Sequence, residues 1–212
     1  MPMLSSSDDR QTWIRHSFYL ALLTAFYHTL QFVSGVALSR RTGSPALMTY
    51  ALDAIVSAPA ALILAVRIQT HNRIDVIGIE EKWRFRAVAA GYITCGIIGL
   101  YLGAMGLWRS YRPVQNLLGI VLAAVSMLAI PIIGSYMKVL AVELRSQTLK
   151  SAAVFTFGNS YLSMVLLISQ LVSIGMNIRW GDPLGALVMF PFMMQKGIQI
   201  LLDEGKHEYV ED

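Results

Sequence analysis

The sequence predicts an all-α membrane protein whose six transmembrane helices form two inverted three-helix halves. Three observations carry that prediction. Of 212 residues 55% are hydrophobic and 14% charged, whereas soluble domains carry about 25% charged residues. Six apolar segments, near 13–38, 45–66, 87–107, 117–140, 151–174 and 182–202, each meet the roughly 17–25 residues a spanning helix needs. Finally, the halves echo one another. An offset of 102 residues places Ser44 on Ser146, Leu47 on Leu149 and Ala51 on Ala153, and then Asp53 on Phe155 and Ser57 on Asn159. With three spans per half, the second and fifth run in opposite directions, as in the inverted repeats of transporters.

The segments between the spans set the topology. An even number of spans puts both ends of the chain on one side. The 67–86 connection carries Arg67, Arg73, Lys82, Arg84 and Arg86, and the region after the fourth span carries Lys138, Arg145 and Lys150. Arg10, Arg15 and Lys206 join them from the tails, against Arg40, Arg41, Arg109, Arg112 and Arg179 opposite. Basic residues favour the cytoplasmic side, so a 1–12 tail and a 203–212 tail are expected in the cytoplasm, flanking a 13–202 membrane domain. A bacterial inner membrane is the expected location. The net charge of +4 is explained by this topology and calls for no nucleic acid. The first span lacks a small-residue cleavage site and follows the polar head Ser5-Ser6-Ser7-Asp8-Asp9, unlike a cleaved signal peptide.

Asp53 is the residue that points to function. It lies ten residues beyond Gly43, about 15 Å into the second span and near the middle of a hydrocarbon core about 30 Å thick. Ionisable groups at such depth are costly and mark ion or proton pathways. The bland alternative is a carboxyl kept protonated and bonded to Ser57 or Tyr50. Asn159 is nine residues from Lys150, about 14 Å deep, so Asp53 and Asn159 should face each other at similar height. His28, with Tyr27 and Gln31 in the first span, reaches comparable depth. It would supply a further ligand or proton carrier, or else be a neutral imidazole bonded to a neighbouring helix.

These segments resemble the cation diffusion facilitators, proton-coupled exporters of zinc, manganese, iron and related ions. Gly43-Ser44-Pro45-Ala46-Leu47 through Ser57 is similar to that family's second helix, and Leu149-Lys150-Ser151-Ala152-Ala153 through Ser163 to its fifth. Trp180-Gly181-Asp182-Pro183-Leu184-Gly185-Ala186-Leu187, followed by Lys196-Gly197-Ile198, resembles its sixth and is the most specific of the three. The likeness covers about 13–202. It implies a cation-diffusion-facilitator-like bundle, export of a divalent cation by proton antiport, and a homodimer. It also implies a divergent member, without the family's cytoplasmic C-terminal domain. The family's cage takes two ligands four apart on helix two and two on helix five, a spacing that puts each pair on one helical face. The matching positions here are Asp53, Ser57, Phe155 and Asn159. One carboxylate, an amide, a hydroxyl and, with His28, an imidazole make a degenerate metal site. Oxygen ligation of this kind suits Mn²⁺ or Mg²⁺ better than Zn²⁺.

The remaining candidates have plain readings. Asp182 before Pro183 is expected to cap its own helix. Lys196, near the inner end of the sixth span, is expected to snorkel. Cys95, the single cysteine, and the methionines read as packing. The glycines of the third span are candidates for contact with a second copy. His71 and Asp75 sit where some members of the resembled family bind a second metal, and a solvated loop is the simpler expectation. No catalytic triad, phosphate loop or metal-hydrolase motif is present, so neither an enzyme nor a cofactor is expected. A non-transporting structural or regulatory subunit descended from the same family is the alternative. The expected partners are the lipid bilayer, a cation, protons and a second copy.

Overall fold

The computed structural model describes residues 7–70, 79–109, 114, 117–175 and 178–207. Among them the chain forms six α-helices: α1 (Ser7–Thr42), α2 (Pro45–Thr70), α3 (Ile79–Trp108), α4 (Leu117–Glu143), α5 (Gln147–Gly175) and α6 (Gly181–His207). All six are long and apolar enough to cross a membrane, as the hydropathy pattern predicts, and they identify a multi-pass membrane protein. The first and last helices extend past the expected spans. His71 and Asp75 lie outside the described residues.

The outer surface is apolar, as lipid requires. Val121, Val125, Leu128, Ile132, Tyr136 and Val139 form an exposed stripe along α4, while its Ala123, Ser126, Ile130, Gly134 and Met137 turn inward. A soluble protein would bury that stripe. The polar residues lie inside the bundle instead: His28, Gln31, Asp53, Ser57, Asn159, Ser163, Gln170, Asp182 and Lys196 are all buried.

The 102-residue echo has a local structural basis. Each half contains a helix-to-helix turn in which one residue takes a left-handed backbone and the next is a serine cap. Gly43 has φ 70° and Arg145 φ 49°. Ser44 Oγ accepts the Leu47 N–H at 3.1 Å, and Ser146 Oγ accepts the Leu149 N–H at 3.3 Å. Such a side chain satisfies one of the amides a helix start leaves open. Glycine takes φ > 0 without strain; Arg145 does so at a cost.

The pairings follow from these turns. The α1–α2 turn folds α2 back along α1, and the α4–α5 turn does the same for α5 and α4. The start of α2 meets the end of α5, where Gln170 Nε2 bonds Ser44 Oγ at 3.1 Å, so these two central helices are antiparallel. α3 packs on α6, with Tyr92, Met189 and Met193 in one core cluster. At that seam glycines substitute for side chains. A Cβ on Gly197 would stand 2.9 Å from the Ala89 carbonyl oxygen and 2.7 Å from Ile93 Cγ1. On Gly103 it would stand 3.0 Å from the Pro183 oxygen, and on Gly99 2.6 Å from Thr49 Cγ2. The glycines of α3 are therefore used within the chain, against α2 and α6, and are not the free face that the sequence offers to a second copy.

Gly197→Ala should lower the thermal midpoint in detergent, by the equivalent of about 1–3 kcal/mol for an overpacked contact. Gly175→Ala, with open space at its Cβ position, should leave the midpoint unchanged. Equal melting of both variants would mean that α3 and α6 are not held at this distance.

Candidate ion site at mid-span

Four helices place one polar cluster at the centre of the bundle. Asp53 and Ser57, one turn apart on α2, point toward Asn159 on α5 and His28 on α1. Asp53 is 0% exposed. The sequence-predicted residues Asp53, Ser57, Asn159 and His28 are thus brought together, and Asp53 faces the interior.

A fifth residue joins them. Lys196 on α6 is 5% exposed and donates from Nζ to Asp53 Oδ1 at 2.7 Å and to Asn159 Oδ1. The same ammonium lies 5.2 Å from the centre of the Tyr92 ring, within cation–π range. The expectation that Lys196 snorkels to the interface is corrected: its stem turns inward, because an unpaired carboxylate in an apolar interior draws the cation within reach. Position along α6 alone favours the interface; the carboxylate across the bundle outweighs it.

The hydrogen bonds have a definite order. The Asn159 carbonyl accepts from Lys196, so its Nδ2 donates, to His28 Nε2 at 3.3 Å and to Ser57 Oγ at 3.3 Å. His28 Nε2 is then an acceptor, which places the imidazole proton on Nδ1, 3.1 Å from Gln31 Oε1. Ser57 Oγ lies 3.5 Å from Asp53 Oδ2 and 2.8 Å from the Tyr92 hydroxyl. Tyr50 bonds Ser163 at 2.8 Å rather than Asp53. Ser57 and Asn159, the pair related by the internal offset, touch directly.

Below this cluster lies a cavity of about 140 Å³. Ser57, His28, Tyr92 and Asn159 form its polar end. Ile63, Leu64, Val88, Phe155 and Ile200 wall it, and Arg67 and Thr148 lie toward the face where α1 begins and α6 ends. Phe155, which the internal offset pairs with Asp53, is part of the apolar wall. Toward the opposite face a second polar network ties the helices together. There Asp182 accepts from Ser44 Oγ at 2.6 Å, Gln170 Nε2 at 2.7 Å and the Ala46 N–H at 3.4 Å. Asp182 therefore caps the start of α2 and ties it to α5 and α6, instead of capping its own helix as expected. Cys95 is buried in the core cluster with Met189 and Met193.

As a metal site the cluster has one anion. Among the described residues no group of three or more His, Cys, Asp or Glu side chains converges. The two oxygens best placed to share a cation, Asp53 Oδ1 and Asn159 Oδ1, both hold the lysine ammonium. A cation enters this site only in place of Lys196.

Asp53→Ala should therefore be severely destabilising, by about 3–5 kcal/mol, because it leaves a buried ammonium unpaired. Asp53→Ala with Lys196→Met should recover most of that loss, since apolar replacement of a buried pair is often neutral. Melting curves of the three proteins in one detergent decide it. A double variant no better than the single would show that the pair is not coupled.

No protein-family model matches the chain, and no curated protein matches it by sequence.

Proposed function

We propose that the chain is a secondary transporter that moves a cation out of the cytoplasm in exchange for protons, with Asp53 as the carboxylate that cation and proton share. The observation that carries this reading is the placement of a buried Asp53 directly above a cavity that runs toward the face of the chain ends. Ser57, which borders the cavity, bonds the carboxylate. A midplane site with a cavity on one side and the hydrogen-bonded Asp182, Ser44 and Gln170 on the other fits one end-state of alternating access. The excess of Lys and Arg on the cavity side makes that side cytoplasmic. On this reading the membrane is a bacterial inner membrane and the protein works as a homodimer, held by surfaces other than the glycines of α3.

A second reading has a specific observation in its favour. Lys196 already neutralises Asp53, and Ser57, Tyr92, Asn159 and His28 all have partners, as a permanent structural core would have it. That reading makes the chain a non-transporting structural or regulatory subunit. Proton flux separates the two. In liposomes loaded with a pH-sensitive dye, an outward cation gradient should drive proton uptake by the wild type, and Asp53→Asn should reduce it to the rate of empty vesicles. Wild-type vesicles indistinguishable from empty ones, whatever cation is supplied, would favour the structural subunit.

The charge of the site also bears on zinc. One carboxylate and neutral oxygens recover little of a divalent ion's dehydration cost. Zinc should bind the wild type far more weakly than it binds a four-ligand cage. Phe155→His with Asn159→Asp should raise the affinity by at least about tenfold, adding a nitrogen and a second anion on one face of α5. Calorimetric titration of both proteins measures this; a double variant that gains nothing would show that position 155 does not face Asp53.

A further inference from the structure

We propose that the Asp53 site selects a small organic ammonium, a protonated amine with an apolar body, and that the Lys196 side chain is the built-in stand-in for it. The proposal rests on the reading of Asp53 as the cargo carboxylate and names the class of cargo.

Three features lead there. The first is the seat itself, which is built for an alkylammonium and now holds one. Asp53 Oδ1 and Asn159 Oδ1 accept its N–H groups, and the Tyr92 ring lies 5.2 Å from its nitrogen. A ring face attracts an ammonium through its quadrupole and is a recurrent means of recognising organic cations. The stem is accommodated too: a Cβ on Gly158 would stand 3.4 Å from Lys196 Cε, so the missing side chain leaves room for methylene groups.

The second feature is charge. Asp53 with one monovalent cation is neutral. Asp53 with a divalent ion would leave a net positive charge in an apolar interior, which is costly. The incoming cation displaces Lys196, whose ammonium stays charged and moves toward the face of the chain ends. Lys196 is six residues short of Leu202, the end of the span, about 9 Å along the helix and farther than a lysine stem reaches, so the displaced ammonium moves only part of that way, into the adjoining space that Ile200 lines.

The third is the cavity. Ile200, one turn beyond Lys196 and on its face of α6, lines the cavity, so the space adjoins the seat. Its walls are largely apolar, with Ile63, Leu64, Val88 and Phe155 among them. Arg67 and the hydroxyls of Thr24, Thr148, Ser151 and Thr156 also line it, but most of the wall is hydrocarbon, from which an apolar body gains more than a hydrated metal ion does. The volume, about 140 Å³, matches the roughly 150 Å³ cavities that take benzene in other proteins.

The test uses benzylammonium, with benzyl alcohol as the neutral isostere and Na⁺, Mg²⁺ and Zn²⁺ as competitors, measured by calorimetry on the detergent-purified full chain. Benzylammonium should bind the wild type at least about tenfold more tightly than benzyl alcohol, since only a charged head can take over the Asp53 carboxylate as Lys196 leaves it. Ala60→Phe, which fills the cavity and leaves the ion pair alone, should abolish binding while the protein still melts cooperatively. Lys196→Met should tighten it, because the site no longer has an internal competitor; if that variant fails to fold, the wild type and Ala60→Phe still decide. Equal binding of the alcohol, or undisturbed binding by Ala60→Phe, would overturn the proposal. So would binding of Na⁺, Mg²⁺ or Zn²⁺ without the amine, and proton flux driven by that ion would then leave the transporter reading standing. Amine binding with no cation-driven proton flux at all would support the site assignment and sink the transporter reading instead.

Discussion

A single ion pair in the middle of an apolar bundle sets the terms for everything around it. Neither Asp53 nor Lys196 is tolerable alone at that depth, so each fixes the other, and with them the approach of α2 to α6. The carboxylate's remaining oxygen needs a donor and finds Ser57; the ammonium's remaining hydrogens need acceptors and find the Asn159 carbonyl. Two helices become three through that requirement, and His28, bonded to the Asn159 amide, brings in α1. Lipid-facing packing by itself would hold these helices together with little preference for register; the polar cluster supplies it.

Much of this was legible in the sequence, and for identifiable reasons. Span number and position follow from hydropathy, because a spanning helix must satisfy its backbone internally and show lipid an apolar surface. The depths of Asp53 and Asn159 follow from counting residues, since helical rise is constant. Lys196 was misplaced because its position was judged along one helix, whereas its partner is set by tertiary packing. A signal for it did exist. Asp53 is an acid deep in a span, such acids are almost always paired, and Lys196 is the basic residue lying well inside a predicted span. Asp182 was misjudged for the same reason: an Asp-Pro at a helix start suggests local capping, while here the geometry offers it the open amides of α2.

The two halves match in the backbone of their turns and differ in their inward side chains. The serine caps at Ser44 and Ser146 and the left-handed residues before them are matched, and Arg145 keeps a conformation that suits glycine better. The inward positions are not matched: the acid of α2 corresponds to Phe155 on α5. The divergence makes physical sense. Once Lys196 supplies the positive charge, a second anion on α5 would be surplus, and an aromatic ring there shapes the cavity wall. The internal echo thus describes the turns of the scaffold better than it describes the chemistry at its centre.

The amide of Asn159 has a consequence of its own. An amide is a two-ended group: if its oxygen faces a cation, its hydrogens must face away. As long as a positive charge sits beside Asp53, Asn159 presents hydrogens to His28, which fixes that imidazole with its own hydrogen on the Gln31 side. Were the seat empty, the amide could turn over, and His28 would have to rearrange with it. The planar side chain on α5 thereby reports the occupancy of the seat beside Asp53 to α1, a helix outside that seat.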